Sequence, residues 1–144
     1  MTVLLDINML IARVDPAHEH HSLAREWLSA LGPSAGIATC PLTENGFLRI
    51  YGHPAYPGGP GSPEAAAPVL RAIRSLPQHV FLPDDLSVAD PARILSLAGV
   101  GSQQLTDLYL LALAAKHSAL FATFDRKIDP IRVAGGPEAL RIIR

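Results

Sequence analysis

The stretch VLLDINMLIARV, residues 3–14, decides the fold, because it joins a strand pattern to a helix pattern with no turn between them. Val3–Leu5 is a short apolar run that predicts a buried strand. Ile7–Val14 has the apolar spacing of a helix, which stops at Asp15-Pro16. Asp6 lies at the junction. Because burying an unpaired carboxylate costs several kcal/mol or more, Asp6 either caps the helix or takes part in chemistry.

Strand and helix patterns alternate along the rest of the chain. Further strands are predicted at Gly36–Thr39, His79–Leu82, Ala119–Thr123 and Ala139–Ile143. Helices are predicted at His18–Leu31, Pro41–Tyr51, Glu64–Leu76, Ser87–Leu97 and Ser102–His117, with a Pro/Gly-rich loop at His53–Pro63. Strands separated by helical segments predict an α/β fold with a parallel sheet and right-handed crossovers.

The composition indicates one globular domain covering residues 1–144. With 144 residues and 49% hydrophobic content, the chain can bury a core of its own. The longest apolar run is far shorter than the roughly 20 residues of a membrane span, and the chain does not open with a signal peptide. We therefore expect a cytoplasmic protein without a membrane segment. A single cysteine, Cys40, excludes an intrachain disulfide and a cysteine-based zinc site.

Four acidic residues are not explained by turns, helix caps or a solvated surface. Five other aspartates lie in proline-containing turns or at helix starts, and four glutamates lie in polar or first-turn positions. Asp6 and Asp125 end predicted strands, whereas Glu44 and Asp107 lie early in predicted helices, on their apolar faces. The carboxyl ends of parallel strands and the starts of the following helices share one edge of a sheet, so we expect these four acids to converge.

Four converging carboxylates predict a site for a hard divalent cation. Without a cation they would repel one another, and at least one would have to stay protonated. Mg²⁺ or Mn²⁺ takes oxygen ligands, keeps several waters and lowers the pKa of a bound water beside a phosphodiester. The net charge of −1 does not exclude RNA binding. If four acids bind a metal ion, the rest of the chain carries more basic than acidic residues. The pattern indicates metal-dependent phosphoryl chemistry.

The segments LLDINMLIA, TCPLTENGFLRI, QLTDLYLLALA and FATFD carry these acids. Together they resemble the four acidic blocks of PIN-domain ribonucleases, and more closely those of VapC-type toxins of bacterial toxin–antitoxin systems. The resemblance covers nearly the whole chain and implies a three-layer α/β/α fold with a mainly parallel central sheet. It implies a Mg²⁺- or Mn²⁺-dependent endoribonuclease whose metal-binding acids are Asp6, Glu44, Asp107 and Asp125. It also implies an RNA substrate, a homodimer and a small antitoxin protein that silences the enzyme.

The acids and their neighbours receive roles as hypotheses. The predicted main ligands are Asp6, Asp107 and Glu44, and Asp125 would complete the site around a metal-activated water. Asn8 lies two residues after the first acid and Thr123 two residues before the last. Each is a candidate to hydrogen-bond a ligand carboxylate or a metal-bound water. Helix N-capping by Asn8 and an ordinary strand position for Thr123 are the alternatives.

Contacts to the RNA itself are harder to predict than the acids. Arg13, Arg49 and Arg126 are candidates to contact substrate phosphates, although each also fits an ordinary surface arginine. Aromatic residues for base stacking are scarce, and only Tyr51 and Tyr56 lie near a plausible rim.

Two alternatives remain open on the sequence alone. The segment HEHH, His18–His21, could offer two zinc ligands at i and i+3, but no third ligand is in sight and a polar helix start explains it better. The acids also fit a function of another class, a non-catalytic PIN-like regulatory module that binds a protein partner. In that module the acids would be structural or would receive an arginine of the partner.

Overall fold

A computed structural model describes residues 1–144 and shows one five-stranded sheet in which every strand pairing is parallel. The strands are β1 (Thr2–Leu5), β2 (Gly36–Thr39), β3 (His79–Phe81), β4 (Leu120–Thr123) and β5 (Leu140–Ile142), and their order in the sheet is β3-β2-β1-β4-β5. The central strands are almost entirely apolar, as parallel strands that are covered by helices on both faces must be.

Six helices cover the two faces of the sheet. They are α1 (Ile7–Val14), α2 (His21–Ala30), α3 (Pro41–Tyr51), α4 (Pro63–Arg74), α5 (Ser102–Lys116) and α6 (Gly136–Ala139). Helices α1 to α4 pack on one face, in a core that includes Met9 and Phe47. Helices α5 and α6 pack on the other face, in a core that includes Leu110 and Phe121. This arrangement confirms the predicted three-layer α/β/α fold.

The alternation of side chains along the strands determines which layer each residue meets. In β1, Val3 and Leu5 pack toward α1 to α4, whereas Leu4 packs toward α5. In β4, Phe121 packs toward α5 and Ala122 packs the other way. Successive side chains alternate between the two faces, so a polar residue at or just beyond a strand end lies on the same face as the residue two positions before it.

The strand order reverses at the boundary between β1 and β4. From β1 the chain passes to α1 on one face of the sheet, whereas from β4 it passes to α6 on the other. In an open parallel sheet, a crevice forms at such a boundary outside the carboxyl ends of the two strands. The residues that end β1 and β4 therefore flank this crevice.

The predicted helix at Ser87–Leu97 is wrong. These residues form successive turns, and Ile94 makes an isolated antiparallel bridge with Val133. Polar side chains accept hydrogen bonds from backbone N–H groups two residues ahead, in the pairs Ser87 and Ala89, Asp90 and Ala92, and Ser96 and Ala98. Such local bonds compete with helical hydrogen bonding, and Pro91 removes one more backbone donor.

The limits of the other predicted elements agree with the structure to within two residues, apart from the start of α2. Helix α2 begins at His21 and not at His18, because the preceding residues form turns in which Asp15 Oδ1 accepts from the Ala17 N–H. The C-terminal strand is β5, and the residue before it, Ala139, ends the short helix α6. No helix of the protein is both long enough and apolar enough to span a membrane.

Candidate active site

Asp6 is a buried carboxylate held by two hydrogen bonds at the carboxyl end of β1. It is 7% exposed. Its Oδ1 accepts from the Ile7 N–H at 2.7 Å, so Asp6 caps α1, and its Oδ2 accepts from Thr123 Oγ1 at 2.8 Å. Its own N–H donates to the Ala122 carbonyl oxygen, which fixes it against β4. Asn8, the alternative cap, is exposed in the first turn and does not cap the helix.

Thr123 joins Asp6 to Asp125. It is the last residue of β4 and is fully buried. Its hydroxyl accepts from the Asp125 N–H at 3.0 Å while it donates to Asp6. Asp125 Oδ1 in turn accepts from the Lys127 N–H at 2.8 Å. The turn after β4 is therefore shaped by side-chain hydrogen bonds that keep Asp125 beside the crevice.

Asp107 brings a third carboxylate from α5. It is half-buried, and with Asp125 it lines the same cleft. Burial raises the pKa of Asp107 to about 7, and the negative charges of Asp6 and Asp125 add to the rise. Burial also raises the pKa of Asp6, against the opposing hydrogen bonds from Thr123 and Ile7. None of the three aspartates forms an ion pair with a side chain of the protein.

Glu44, the fourth predicted acid, lies in a separate network on the face of α1 to α4. Its Oε2 accepts from Thr39 Oγ1 at 2.7 Å and forms an ion pair with Arg74. In β2, Ala38 packs toward α5, so the next residue, Thr39, points to the opposite face and takes Glu44 with it. The charge of Glu44 contributes to neither of the raised aspartate pKa values. The structure thus links Asp6, Asp107 and Asp125 through Thr123 and through mutual repulsion, and it pairs Glu44 with Thr39 and Arg74.

A cleft of about 210 Å³ opens beside Asp107 and Asp125. Lys127 and Arg132 also line it. Arg132 pairs with Asp129, whereas the Lys127 ammonium has no partner in the protein and can meet an anionic ligand. Sequence reasoning missed Lys127. The available signal was its position two residues after a predicted metal ligand.

The three aspartates fit a hard divalent cation that keeps much of its own water. No three His, Cys, Asp or Glu side chains are placed to hold one ion together. Mg²⁺, however, is usually held by one or two carboxylates and several waters, and Asp107 and Asp125 beside Asp6 offer such a set. A cation would also offset the repulsion that helps to raise the pKa of Asp107.

The three predicted arginines lie at different places on the fold. Arg126 follows Asp125 directly and is exposed at the acidic edge of the sheet. Arg13 and Arg49 lie in the last turns of α1 and α3, helices whose first residues follow the carboxyl ends of β1 and β2. Because each helix leads away from that edge, the positions of Arg13 and Arg49 do not support contact with a phosphate at the aspartates.

The histidine-rich turn is used for packing. His21 Nδ1 lies 2.6 Å from the Ala12 carbonyl oxygen, a hydrogen bond that joins α2 to α1. The ring of His20 stacks on Phe124, with 4.5 Å between the centroids, and His18 Nδ1 accepts from the His20 N–H. His18 and His21 therefore both have partners in the protein, as a polar helix start would predict.

Comparison with known proteins identifies the family and confirms the resemblance seen in the sequence. The PIN domain family model matches residues 3–134. Ribonuclease VapC38 of Mycobacterium tuberculosis is 42% identical over 123 residues, which cover 85% of this chain and 84% of that protein. Two further proteins of the same organism are similar: Ribonuclease VapC29 is 41% identical over 87% of this chain and 86% of its own, and Ribonuclease VapC39 is 36% identical over 97% of this chain and 100% of its own. The chain therefore belongs to the PIN-domain family, in which it is similar to these VapC ribonucleases over most of its length.

Proposed function

We propose that this protein is a Mg²⁺- or Mn²⁺-dependent endoribonuclease toxin. The observation that carries the proposal is the cluster of Asp6, Asp107 and Asp125 beside the crevice, three carboxylates that no cationic side chain balances. Membership of the PIN-domain family and the names of its ribonuclease relatives support the same conclusion. When bound, the ion would activate a water and stabilise the charge on the phosphodiester that the water attacks.

Each residue of the cluster has a distinct task in this proposal. Asp107 and Asp125 hold the ion together with Asp6, through carboxylate oxygens or through bound water. Thr123 orients Asp6 and fixes the turn that presents Asp125. A carboxylate within hydrogen-bond reach of the attacking water aligns it and accepts its proton. Glu44 uses one carboxylate oxygen, Oε2, in its bonds to Thr39 and Arg74, and in this proposal its other oxygen is the one that can serve the site.

RNA binding falls to the cations next to the aspartates. Arg126 and Lys127 follow Asp125 directly, and Lys127 lines the cleft beside it. In this proposal they contact phosphates on either side of the scissile bond, and the cleft receives a neighbouring nucleotide. Phosphate contacts of this kind position a nucleic acid without reading its sequence.

We propose further that the toxin acts in the cytoplasm as a homodimer and is neutralised by a small cognate antitoxin. This part rests on the resemblance to VapC-type toxins. The aspartate cluster is a suitable target for an arginine of such a partner, because the guanidinium fork matches carboxylates in a bidentate fashion.

A non-catalytic regulatory module that binds a protein partner is the second candidate function. Two observations favour it: no three side chains are placed to hold one ion, and Glu44 is already paired with Arg74. In that function the aspartates receive a partner's arginine and bind no metal ion.

RNA cleavage by the purified protein in Mg²⁺ or Mn²⁺, against EDTA, tests the proposal. We expect cleavage that requires the ion and falls by at least about 100-fold in Asp107→Asn. The matched control is Glu64→Gln, which removes an exposed charge in the first turn of α4 and should leave the rate unchanged. Mn²⁺ titration calorimetry separates the two candidates. No heat of binding and no cleavage of any RNA pool would reject the nuclease and leave the regulatory module.

A further inference from the structure

A second cleft lies at the opposite edge of the sheet from the aspartates. It has a volume of about 520 Å³ and is called here the basic cleft. Ile37, at the start of β2, and Gln78, just before β3, line it, so it opens at the amino ends of the parallel strands. Arg13 of α1 and Arg25 of α2 also line it. Its volume is within the range of about 300–1,000 Å³ that is typical of small-molecule sites.

The two arginines of the basic cleft lack an anionic partner. Neither Arg13 nor Arg25 forms an ion pair, and the arginines that donate hydrogen bonds within the protein are Arg74, Arg132 and Arg141. No acidic residue lines the cleft. Arg13 is half-buried, and its pKa is lowered by burial first and by the charge of Arg25 second. Two like charges therefore lie side by side, one of them partly removed from water, and an anion between them would relieve both costs.

We propose that the basic cleft binds a phosphate monoester through the paired guanidinium groups of Arg13 and Arg25. A phosphate monoester carries close to two negative charges at neutral pH and offers three acceptor oxygens, so it can match two guanidinium forks at once. Ser29 and Gln78 line the same cleft and carry a hydroxyl and an amide that can donate to the remaining oxygens. Leu28, which also lines it, gives apolar surface to the organic part of the ligand.

The chemistry of the basic cleft fits a phosphate monoester better than a peptide carboxylate. A single carboxylate would neutralise one guanidinium and leave the other without a partner. The location separates this ligand from the phosphodiester of the proposed cleavage, because the aspartates lie at the carboxyl edge of the sheet and the basic cleft at the amino edge. The ligand is therefore either a free phosphorylated small molecule, such as a nucleoside monophosphate, or the phosphorylated end of an RNA.

Calorimetric titration of the full-length protein in EDTA tests the proposal without using activity. The probes are inorganic phosphate and adenosine 5′-monophosphate, at constant ionic strength. We expect saturable binding that Arg25→Gln weakens by at least about tenfold, since a charge-assisted bidentate contact is lost. The matched control is Arg71→Gln, which removes an exposed arginine from α4 outside the cleft and should bind as the wild type does. Arg25→Lys, which keeps the charge without the fork, should be intermediate.

Several results of these titrations would overturn the proposed phosphate site. Equal binding by Arg25→Gln and the wild type, or equal weakening in Arg71→Gln, would overturn the proposal, as would tighter binding of a glutamate-rich peptide than of phosphate. If Arg25→Gln does not fold, Arg13→Gln and Ser29→Ala provide the same comparison. A short RNA with and without a 5′-phosphate distinguishes the two sources. Preference for the phosphorylated RNA over the monophosphate would identify an RNA end, and the reverse would identify a free nucleotide.

Discussion

Replacement of Thr123 by valine should destabilise the protein strongly. Thr123 is fully buried, and its hydroxyl donates to Asp6 Oδ2 at 2.8 Å and accepts from the Asp125 N–H at 3.0 Å. A hydrogen bond to a charged group contributes about 1.5–3 kcal/mol and a neutral one about 1 kcal/mol. Valine keeps the shape but removes both bonds, so we expect the free energy of unfolding to fall by about 2–4 kcal/mol. For a domain of this size, the Tm would fall by roughly 6–12 °C.

Thermal unfolding in EDTA is the assay, because no divalent ion then contributes to stability. Thr123→Ser keeps the hydroxyl and should recover most of the lost stability. Thr2→Val, at a strand position whose hydroxyl makes no hydrogen bond, should stay within about 0.5 kcal/mol of the wild type. The reasoning would be refuted by a Thr123→Val protein that melts within about 2 °C of the wild type, or by a Thr123→Ser protein that melts as low as the valine variant.

Three further substitutions test other parts of the structure. Tyr56→Phe removes the hydroxyl that donates to Asp15 at 2.6 Å and is the main cause of that residue's lowered pKa. The folded-state pKa of Asp15 is depressed, so the bond stabilises the fold above the ordinary pKa of 3.8 and its contribution is lost as the pH falls through the lower, folded-state pKa. Unfolding measured across pH should therefore show Tyr56→Phe about 1 kcal/mol less stable than the wild type above pH 3.8, with the difference disappearing at lower pH. Gly136→Ala would press a methyl group against the Pro130 carbonyl oxygen and should cost about 1–3 kcal/mol in urea unfolding; an unchanged midpoint would contradict this. Asp107 has a pKa of about 7, so above that pH Asp107→Asn removes one of three clustered charges. Its Tm in EDTA at about pH 8 to 9 should therefore rise although cleavage is lost, and a lower Tm there would show that repulsion does not dominate.

Features decided by local chemistry could be predicted from the sequence. Three aspartates beside prolines, Asp15, Asp90 and Asp129, accept hydrogen bonds from backbone N–H groups two residues ahead, as turn residues do. Asp84 is also predicted to be a turn residue, but it accepts from the N–H of Leu42, 42 residues away. Explaining the other acids locally is what left Asp6, Glu44, Asp107 and Asp125 as candidates for a shared site. The order of strands and helices also followed from local patterns, because strands and helices alternate with clear stops between them.

Features decided by long-range contacts could not be predicted. Glu44 lies on the apolar side of α3, as expected, but its partner Arg74 is 30 residues away on α4, and no local pattern links them. The segment from Ser87 to Leu97 has apolar residues at helical spacing. In the structure, local turns and a bridge between Ile94 and Val133 replace the helix. The bridge partner lies far along the chain, so no local pattern could predict it.

The acidic site and the basic cleft are connected by the direction of a single helix. Asp6 caps the start of α1 at the carboxyl edge of the sheet, and Arg13 lies in the last turn of the same helix and lines the basic cleft. A negative charge at a helix start and a positive charge at a helix end are each stabilised by the helix dipole, by about 0.3–1 kcal/mol at exposed positions and more when partly buried. The dipole therefore helps this chain to keep a buried carboxylate and a half-buried guanidinium at opposite ends of eight residues. Asp6 follows the carboxyl end of β1, whereas Arg13 lies beside the amino ends of β2 and β3, so the two ends of α1 lie at opposite edges of the sheet. The separation of an acidic edge from a basic edge is thus a consequence of the βα geometry with which the chain begins.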